Sequence, residues 1–595
     1  MKIPLALATF VFAALPVAGF AADPYAGYIY PCGIQAGTTN RFLVGGQHLR
    51  RLKGIRFGGE GLRLLDIKNV PAFPIPARMQ KIHLKKWLDG IANGNRQEPS
   101  MPDDPHISEW RSNSWWRVLG SLDAFELSLV ERDLFTPRVA FQDAPSLRQL
   151  CIVTVAADAS AKPGIYSVSL WGEGGISAPR LFAVTAAARM AEPLYSPPHR
   201  ASPRAAVADA QKECVVLDGQ IMPGETDAFR VHLRGGLRYG IAVTARELQP
   251  YVGDAVPGFF NPAVTVRDSK GRVAVKADDT LRFRPDPSFV FTPEESGEYV
   301  IEIHDVLYRG RADFVYAIAV SPHGEECPAS SFSHDRSGML GLEGDLRFQG
   351  IVADPGGKCS REFDVDVPGM RVLEVFARRN GSPLDAVLEV RSIAGGPSLL
   401  RWDDVTNRVF VGTVPQSECD PCGRFFFEEP GRYIAEISDR TGHGGAEYGW
   451  ELEIRSSRPD FVVYSSRSTL PLLRGAPLKV DFIVDRKDGF DGSVTVEFPR
   501  NVRAKGNVAA PGVDRITVEL TYSARSPFEI GCVDVWARGT VAGRTVRRKV
   551  VPCDEYEQAF AWRHLVPANS FLMRAVPGGK FSAKPPSRRS KVSRD

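Results

Sequence analysis

The sequence predicts an all-β chain: tandem β-sandwich domains with one small, partly helical insertion. Three observations carry this expectation. Gly297-Glu-Tyr-Val-Ile-Glu-Ile-His-Asp305 and Asp313-Phe-Val-Tyr-Ala-Ile-Ala-Val320 recur as Gly431-Arg-Tyr-Ile-Ala-Glu-Ile-Ser-Asp439 and Glu447-Tyr-Gly-Trp-Glu-Leu-Glu-Ile454, every pair 134 residues apart. That period is a whole duplicated domain, because solenoid repeats run to about 20 to 50 residues. Apolar residues in these stretches alternate with period two, the mark of half-buried strands. The 55 Gly and 45 Pro among 595 residues supply the turns that short strands need, and the length suffices for about four domains, each with its own core.

Taken in order, Met1-Lys-Ile-Pro opens onto an apolar run through Phe20 that ends in Ala18-Gly-Phe-Ala-Ala22. This is the order of a secretory signal peptide (1–21), with cleavage expected after Ala21. The mature chain is therefore expected to be exported, whether periplasmic, cell-surface or secreted. No later stretch offers the roughly 18 apolar residues of a membrane span. A net charge of +4 gives no general case for a nucleic-acid partner.

Residues 22–189 read as short strands and turns: Ile29-Tyr-Pro-Cys-Gly33, Phe42-Leu-Val-Gly-Gly-Gln-His-Leu49 and Leu52-Lys-Gly-Ile-Arg-Phe57, then far downstream Pro163-Gly-Ile-Tyr-Ser-Val-Ser-Leu170 and Gly174-Gly-Ile-Ser-Ala-Pro-Arg-Leu-Phe-Ala-Val184. Together these resemble the immunoglobulin-like IPT/TIG fold. Between the halves, about 66–135 reads as an insertion. Leu84, Trp87, Leu88 and Ile91 are spaced i, i+3, i+4, i+7, which predicts an amphipathic helix over about 77–92. Trp110, Trp115 and Trp116 either pack the insertion or form a binding platform.

Residues 190–212, rich in Pro, Ser and Ala, read as a linker. The first repeated module, 213–328, and its copy, 340–456, resemble the bacterial pre-peptidase C-terminal domain, a jelly-roll-like sandwich, in the form it takes in large exported proteins of planctomycete-type bacteria. Phe363 lies 134 residues after Phe229, whereas Asp403-Asp404 lies only 125 after Asp278-Asp279. About nine residues are therefore lost and regained before Gly431. Residues 457–570 read as another Ig-like sandwich, with alternating strands Leu478–484, 492–498 and 515–520. The tail 577–595 is basic and reads as disordered.

Nine cysteines in an exported chain favour disulfides. Cys214 and Cys327 bracket the first repeat. Cys532 and Cys553 flank an expected hairpin, Cys32 with Cys151 forms a third candidate pair, and Cys359, Cys419 and Cys422 remain. Cys419-Asp-Pro-Cys422 reads as a loop disulfide, internal or to Cys359, rather than as a redox or zinc motif, since neither a βαβ setting nor two further zinc ligands are evident.

A search for catalytic signatures finds no Gly-x-Ser-x-Gly elbow, His-Glu-x-x-His helix, P-loop or dinucleotide fingerprint. The recurring aspartates are the one candidate ligand set. Asp278, Asp279 and Asp305 in the first copy, and Asp403, Asp404 and Asp439 in the second, offer the oxygen ligands that Ca²⁺ takes; aspartates also simply favour turns. No other cofactor is expected. The function expected is non-catalytic binding or scaffolding at the cell surface or outside the cell, with an extracellular protein or polysaccharide as partner. The alternative is an accessory subunit of a separate secreted hydrolase.

Overall fold

The computed structural model describes residues 23–70, 78–98, 119–135, 144–194, 207–250, 258–278, 286–323, 345–380, 382–405, 409, 411, 420–473, 477–524, 527–558 and 562–576. The signal-peptide segment, the Trp110, Trp115 and Trp116 cluster, Asp279, Cys327, Cys419 and the basic tail lie outside the described residues. Strand makes up 55% and helix 8%, so the chain is all-β, and its sheets face one another as tandem sandwiches.

In the first sandwich, one sheet runs Tyr25–Tyr30, Thr39–Gln47, Gln149–Ala157, Leu62–Val70, and the other runs Gly33–Gln35, Arg180–Thr185, Gly164–Gly172, Leu52–Phe57. Phe42, Val44, Val153, Phe182 and Val184 fill the space between them. The insertion starts later than the sequence suggests. Leu62–Val70 is a full strand paired to Gln149–Ala157, but a bulge between Leu64 and Asp66 interrupts the period-two pattern that would have revealed it. Beyond it, the expected helix spans Arg78–Ala92 and buries Leu84, Trp87, Leu88 and Ile91. A second helix, Ala124–Phe135, packs Leu127, Val130 and Leu134 against the first. Its start is a capping box: Glu126 N–H donates to Asp123 Oδ1 (3.0 Å), and Asp123 N–H donates to Glu126 Oε2 (3.3 Å).

The two copies share one architecture. In the first, Asp227–Leu233, Gly297–Asp305, Pro262–Arg267 and Val273–Ala277 form one sheet; in the second, Lys358–Val365, Gly431–Asp439, Ala386–Ser392 and Leu400–Trp402 take the same order. The opposing sheets correspond as well, Ser288–Phe291, Tyr239–Thr244, Val315–Pro322 and Val215–Gln220 against Cys422–Phe427, Gly369–Phe376, Gly449–Ser456 and Leu346–Ile351. One register differs. Tyr299 pairs with Val231, but Tyr433 pairs with Phe363, so Phe363 stands in the place of Val231 rather than of Phe229. A slip of two residues keeps every side chain on its face, which is why both copies retain their cores.

The expected linker is partly structural. Ala188–Ala191 adds a parallel strand to Val215–Gln220, and Ala208–Asp209 adds another to Asp227–Leu233, so one edge of each sheet of the first copy is covered by the segment that precedes it.

The last sandwich encloses Phe461, Val463, Val480, Phe482, Val494, Val518, Ala537 and Phe571. Here the first arm of the hairpin expected between Cys532 and Cys553 is two strands in different sheets, Phe528–Val533 against Phe571–Val576 and Trp536–Val541 against Arg544–Lys549. The hairpin turns on Ala542 and Gly543, both at positive φ (47° and 76°), the two-residue turn whose twist matches the strands. A further hairpin, Cys553–Gln558 with Trp562–Pro567, reaches out of this sandwich: Leu565 bridges to Val411 of the second copy, while Val566 joins the cluster of Tyr28, Tyr30, Leu43, Val216 and Ala317 between the first sandwich and the first copy. Asn569 accepts the Ser167 N–H (2.5 Å), and Leu572 packs on Trp171 and Ile176. All four sandwiches therefore meet around one hairpin.

The expected disulfides are not found among the described residues. Cys32, Cys151, Cys359, Cys532 and Cys553 are free thiols. Cys151 faces the interior of the first sandwich, whereas Cys32 faces outward to the first copy, where its thiol donates to Asp218 (3.2 Å). Cys532 and Cys553 part because the chain changes sheets at Asp534: Cys532 is exposed and Cys553 fully buried. Burial pushes the Cys151 thiol up to about 12 and raises that of Cys553, so neither is a ready nucleophile.

Candidate functional site

The aspartates proposed as ligands divide into two groups. Asp305 and Asp439, at the ends of equivalent central strands, close equivalent loops. Asp305 is fully buried and accepts the backbone N–H of Asn261 (2.9 Å), Leu307 (3.0 Å) and Arg309 (3.2 Å), together with two bonds from the Arg309 guanidinium (2.8 and 2.9 Å). Asp439 accepts the N–H of Asp385 (2.9 Å), Thr441 (2.9 Å) and His443 (3.0 Å) and the Thr441 hydroxyl (2.7 Å). Burial alone would raise the Asp439 carboxyl, but these donors prevail and hold it below the usual carboxylate range. Both carboxylates thus staple their loops, and neither belongs to the group of carboxylates that converges among the described residues.

The second group does converge in the second copy, around a residue the sequence reading did not single out. One oxygen each of Asp385, Asp403 and Asp404 lies within 4.8 Å of the others. Asp385 immediately precedes the strand Ala386–Ser392, and Asp403 and Asp404 follow the paired strand Leu400–Trp402, so an ordinary antiparallel register brings them to one end of the sheet. Arg440 reaches Asp403 (3.1 Å) and Asp404 (3.6 Å), and Arg378 reaches Asp385 (3.0 Å). Burial, then Asp403 and Asp385, raise the Asp404 carboxyl. Asp403 Oδ1 has no hydrogen-bond partner among the described residues. Two arginines against three carboxylates leave the cluster one negative charge, with one acceptor unused.

Among the described residues the first copy lacks this arrangement. Asn261 stands where the second copy has Asp385, and its Oδ1 accepts a bond from Arg246 (2.7 Å), the counterpart of Arg378. Val306 replaces Arg440, and Asp278 is exposed. The signal for Asp385 is present in the aligned pair Asn261-Pro-Ala-Val and Asp385-Ala-Val-Leu.

No protein-family model matches the chain, and no curated protein matches it. Among solved structures, a protein from Eubacterium rectale aligns at 6% identity over 40% of this chain and 73% of that one (TM-score 0.13). Tripeptidyl peptidase 2 aligns at 7% over 73% of this chain and 35% of that one (TM-score 0.14). The four N-terminal Ig domains of Dscam1 align at 9% over 74% and 89% (TM-score 0.12). Scores this low carry no argument about function.

Proposed function

We propose that this chain is an exported, non-catalytic protein that binds or scaffolds an extracellular protein or polysaccharide. The observation that supports it is the joining of four sandwiches around the hairpin Cys553–Gln558/Trp562–Pro567, which turns tandem modules into one platform with fixed spacing between its surfaces. A scaffold requires that spacing; beads on flexible linkers do not provide it. The N-terminal leader pattern supports export, and the repeated modules support the resemblance to pre-peptidase C-terminal domains. The test is a glycan and matrix-protein array probed with the mature chain, alongside a pull-down from the native secretome. Saturable binding to one array class supports the reading. A stoichiometric hydrolase partner with a silent array would favour the accessory-subunit alternative, and turnover of any arrayed polymer would overturn the non-catalytic reading.

A second reading, a hard cation at Asp385, Asp403 and Asp404, is favoured by the unused Asp403 Oδ1. On this reading Ca²⁺ competes with Arg440 for the same oxygens. The expected result is a small Ca²⁺-dependent rise in melting temperature that grows in Arg440→Ala; no rise in either protein would remove the reading.

A further inference from the structure

Where the first sandwich meets the last, the two domains leave a cleft with about 260 Å³ of empty space, part of it open to solvent. The strand Leu52–Phe57 is the edge of its sheet, and its Arg56 lies directly opposite Ser169 of Gly164–Gly172, so both side chains leave the same face. Ser167 shares that face two residues earlier, while Tyr166, Val168 and Leu170 point into the core. The face touches the last sandwich on either side of Ser169: the Ser167 backbone bonds Asn569, and Trp171 packs on Leu572. Across the cleft stand Ser468, Cys532 and Ser570.

Two of these groups are unused. Ser169 is only 5% exposed, yet its hydroxyl has no hydrogen-bond partner among the described residues, and a buried polar group left in that state is costly and calls for a partner. Arg56, exposed at the mouth, forms no ion pair among the described residues, and no acidic residue is among those that line the cleft. Two further hydroxyl protons are available. The Ser167 oxygen accepts the Asn569 N–H (3.3 Å), which leaves its own proton to donate, and the Ser570 hydroxyl is shared with the Cys532 thiol (3.3 Å). Ser468 is engaged, since its hydroxyl donates to Asp554.

We propose that this cleft binds a tetrahedral oxyanion, a sulfate or phosphate group, held by the Arg56 guanidinium and the hydroxyls of Ser167, Ser169 and Ser570. A planar guanidinium donates to two oxygens of such a group at once, and hydroxyls serve the remaining oxygens without adding charge. The anion gives Ser169 its missing partner and ties the first sandwich to the last. A free ion and an ester on a polysaccharide present the same chemistry to these residues. The inference does not depend on the platform reading.

Cys532 makes the site readable, because an anion seated beside its thiol shields it and disfavours the reactive thiolate. The experiment is alkylation by iodoacetamide of the full mature chain, kept reduced and followed peptide by peptide in the mass spectrometer. Inorganic sulfate, inorganic phosphate and glucose 6-sulfate are each compared with sodium chloride at equal ionic strength. Sulfate or phosphate is expected to slow Cys532 saturably and several-fold, with the other alkylated thiols unchanged, and Arg56→Gln to remove the protection. Should that variant misfold, Ser169→Ala gives the same readout. Protection by glucose 6-sulfate as well assigns the site to an esterified polymer, and protection by the inorganic ions alone assigns it to a free ion. Equal rates in all four salts would mean that water fills the cleft and would overturn the proposal, as would undiminished protection in a folded Arg56→Gln protein.

Discussion

The two copies of the repeated sandwich keep the same loop after the same strand but stabilise it by different means. In the first, Asp305 is neutralised by Arg309; in the second, Asp439 relies on a hydroxyl and three backbone N–H groups, and the counterpart of Arg309 is His443, 3.7 Å away. Tyr308 adopts φ 52° where the second copy has Gly442 at φ 75°. The first copy therefore holds a bulky, 58% exposed aromatic residue in the left-handed region, stacked on His304 (4.5 Å), and the second uses the residue for which that region is free. The second copy in turn gathers three carboxylates, with Asp385 where the first copy has Asn261. Duplication preserved the hydrogen-bond skeleton, and the side chains around it diverged.

The widest test of equivalence is the core. Tyr299 and Tyr433 are each about 5% exposed and each donates its hydroxyl to the carbonyl four residues earlier (Glu295, 2.9 Å; Glu429, 2.7 Å). Truncation of either to Ala is expected to cost about 3–5 kcal/mol, locally in its own module, by calorimetry and hydrogen exchange. A neutral result for one would break the equivalence.

Much of this skeleton was legible in the sequence because the constant offset and period-two alternation report strands whose two faces differ. The strand Leu62–Val70 was not, since its bulge shifts the alternation, and the helix Ala124–Phe135 was signalled by Asp123 and Glu126, three residues apart, and by the spacing of Leu127, Val130 and Leu134. The pairs Cys32–Cys151 and Cys532–Cys553 fail to form for a different reason: sequence distance says nothing about which face a cysteine takes, and Cys151 points into a core while Cys32 points out of it. The acidic cluster was half legible. Asp403 and Asp404 follow a readable strand, but Asp385, Arg440 and Arg378 arrive from three other segments through sheet register.

The comparison sharpens at Asp305. Arg309→Ala leaves a fully buried carboxylate without its cation, for an expected loss of about 3 kcal/mol or more, whereas His443→Ala should cost under about 1 kcal/mol because Asp439 keeps its four donors. Equal losses would mean that the guanidinium is dispensable to the loop. One residue earlier the sign should reverse between copies. Tyr308→Gly relieves about 1–2 kcal/mol of left-handed strain, less whatever the His304 stack contributes, and Gly442→Ala introduces a similar strain into the second copy. Destabilisation by Tyr308→Gly would show that the stack outweighs the backbone.

The smallest effect separates turn aspartates from a ligand cluster. Asp404 is a third exposed, so water screens its repulsion with Asp403 and Asp385, and Asp404→Asn is expected to stabilise by less than about 1 kcal/mol at neutral pH. Because the folded carboxyl is raised, the gain should be absent below the ordinary value of 3.8, where the unsubstituted group is already neutral, and should grow as pH rises past it. Calcium reverses the comparison. If the cluster binds the ion, a hundredfold excess over Kd stabilises the unsubstituted protein by about 2.7 kcal/mol, and the variant, which has lost a charged ligand, by less. Melts of both proteins at pH 3.5 and pH 7, each with Ca²⁺ and with chelator, therefore give one difference between variant and unsubstituted protein for each condition. A variant that is more stable at pH 7 in both ion conditions identifies Asp404 as a solvated repulsive neighbour, and one that becomes the less stable protein only with Ca²⁺ identifies it as a ligand.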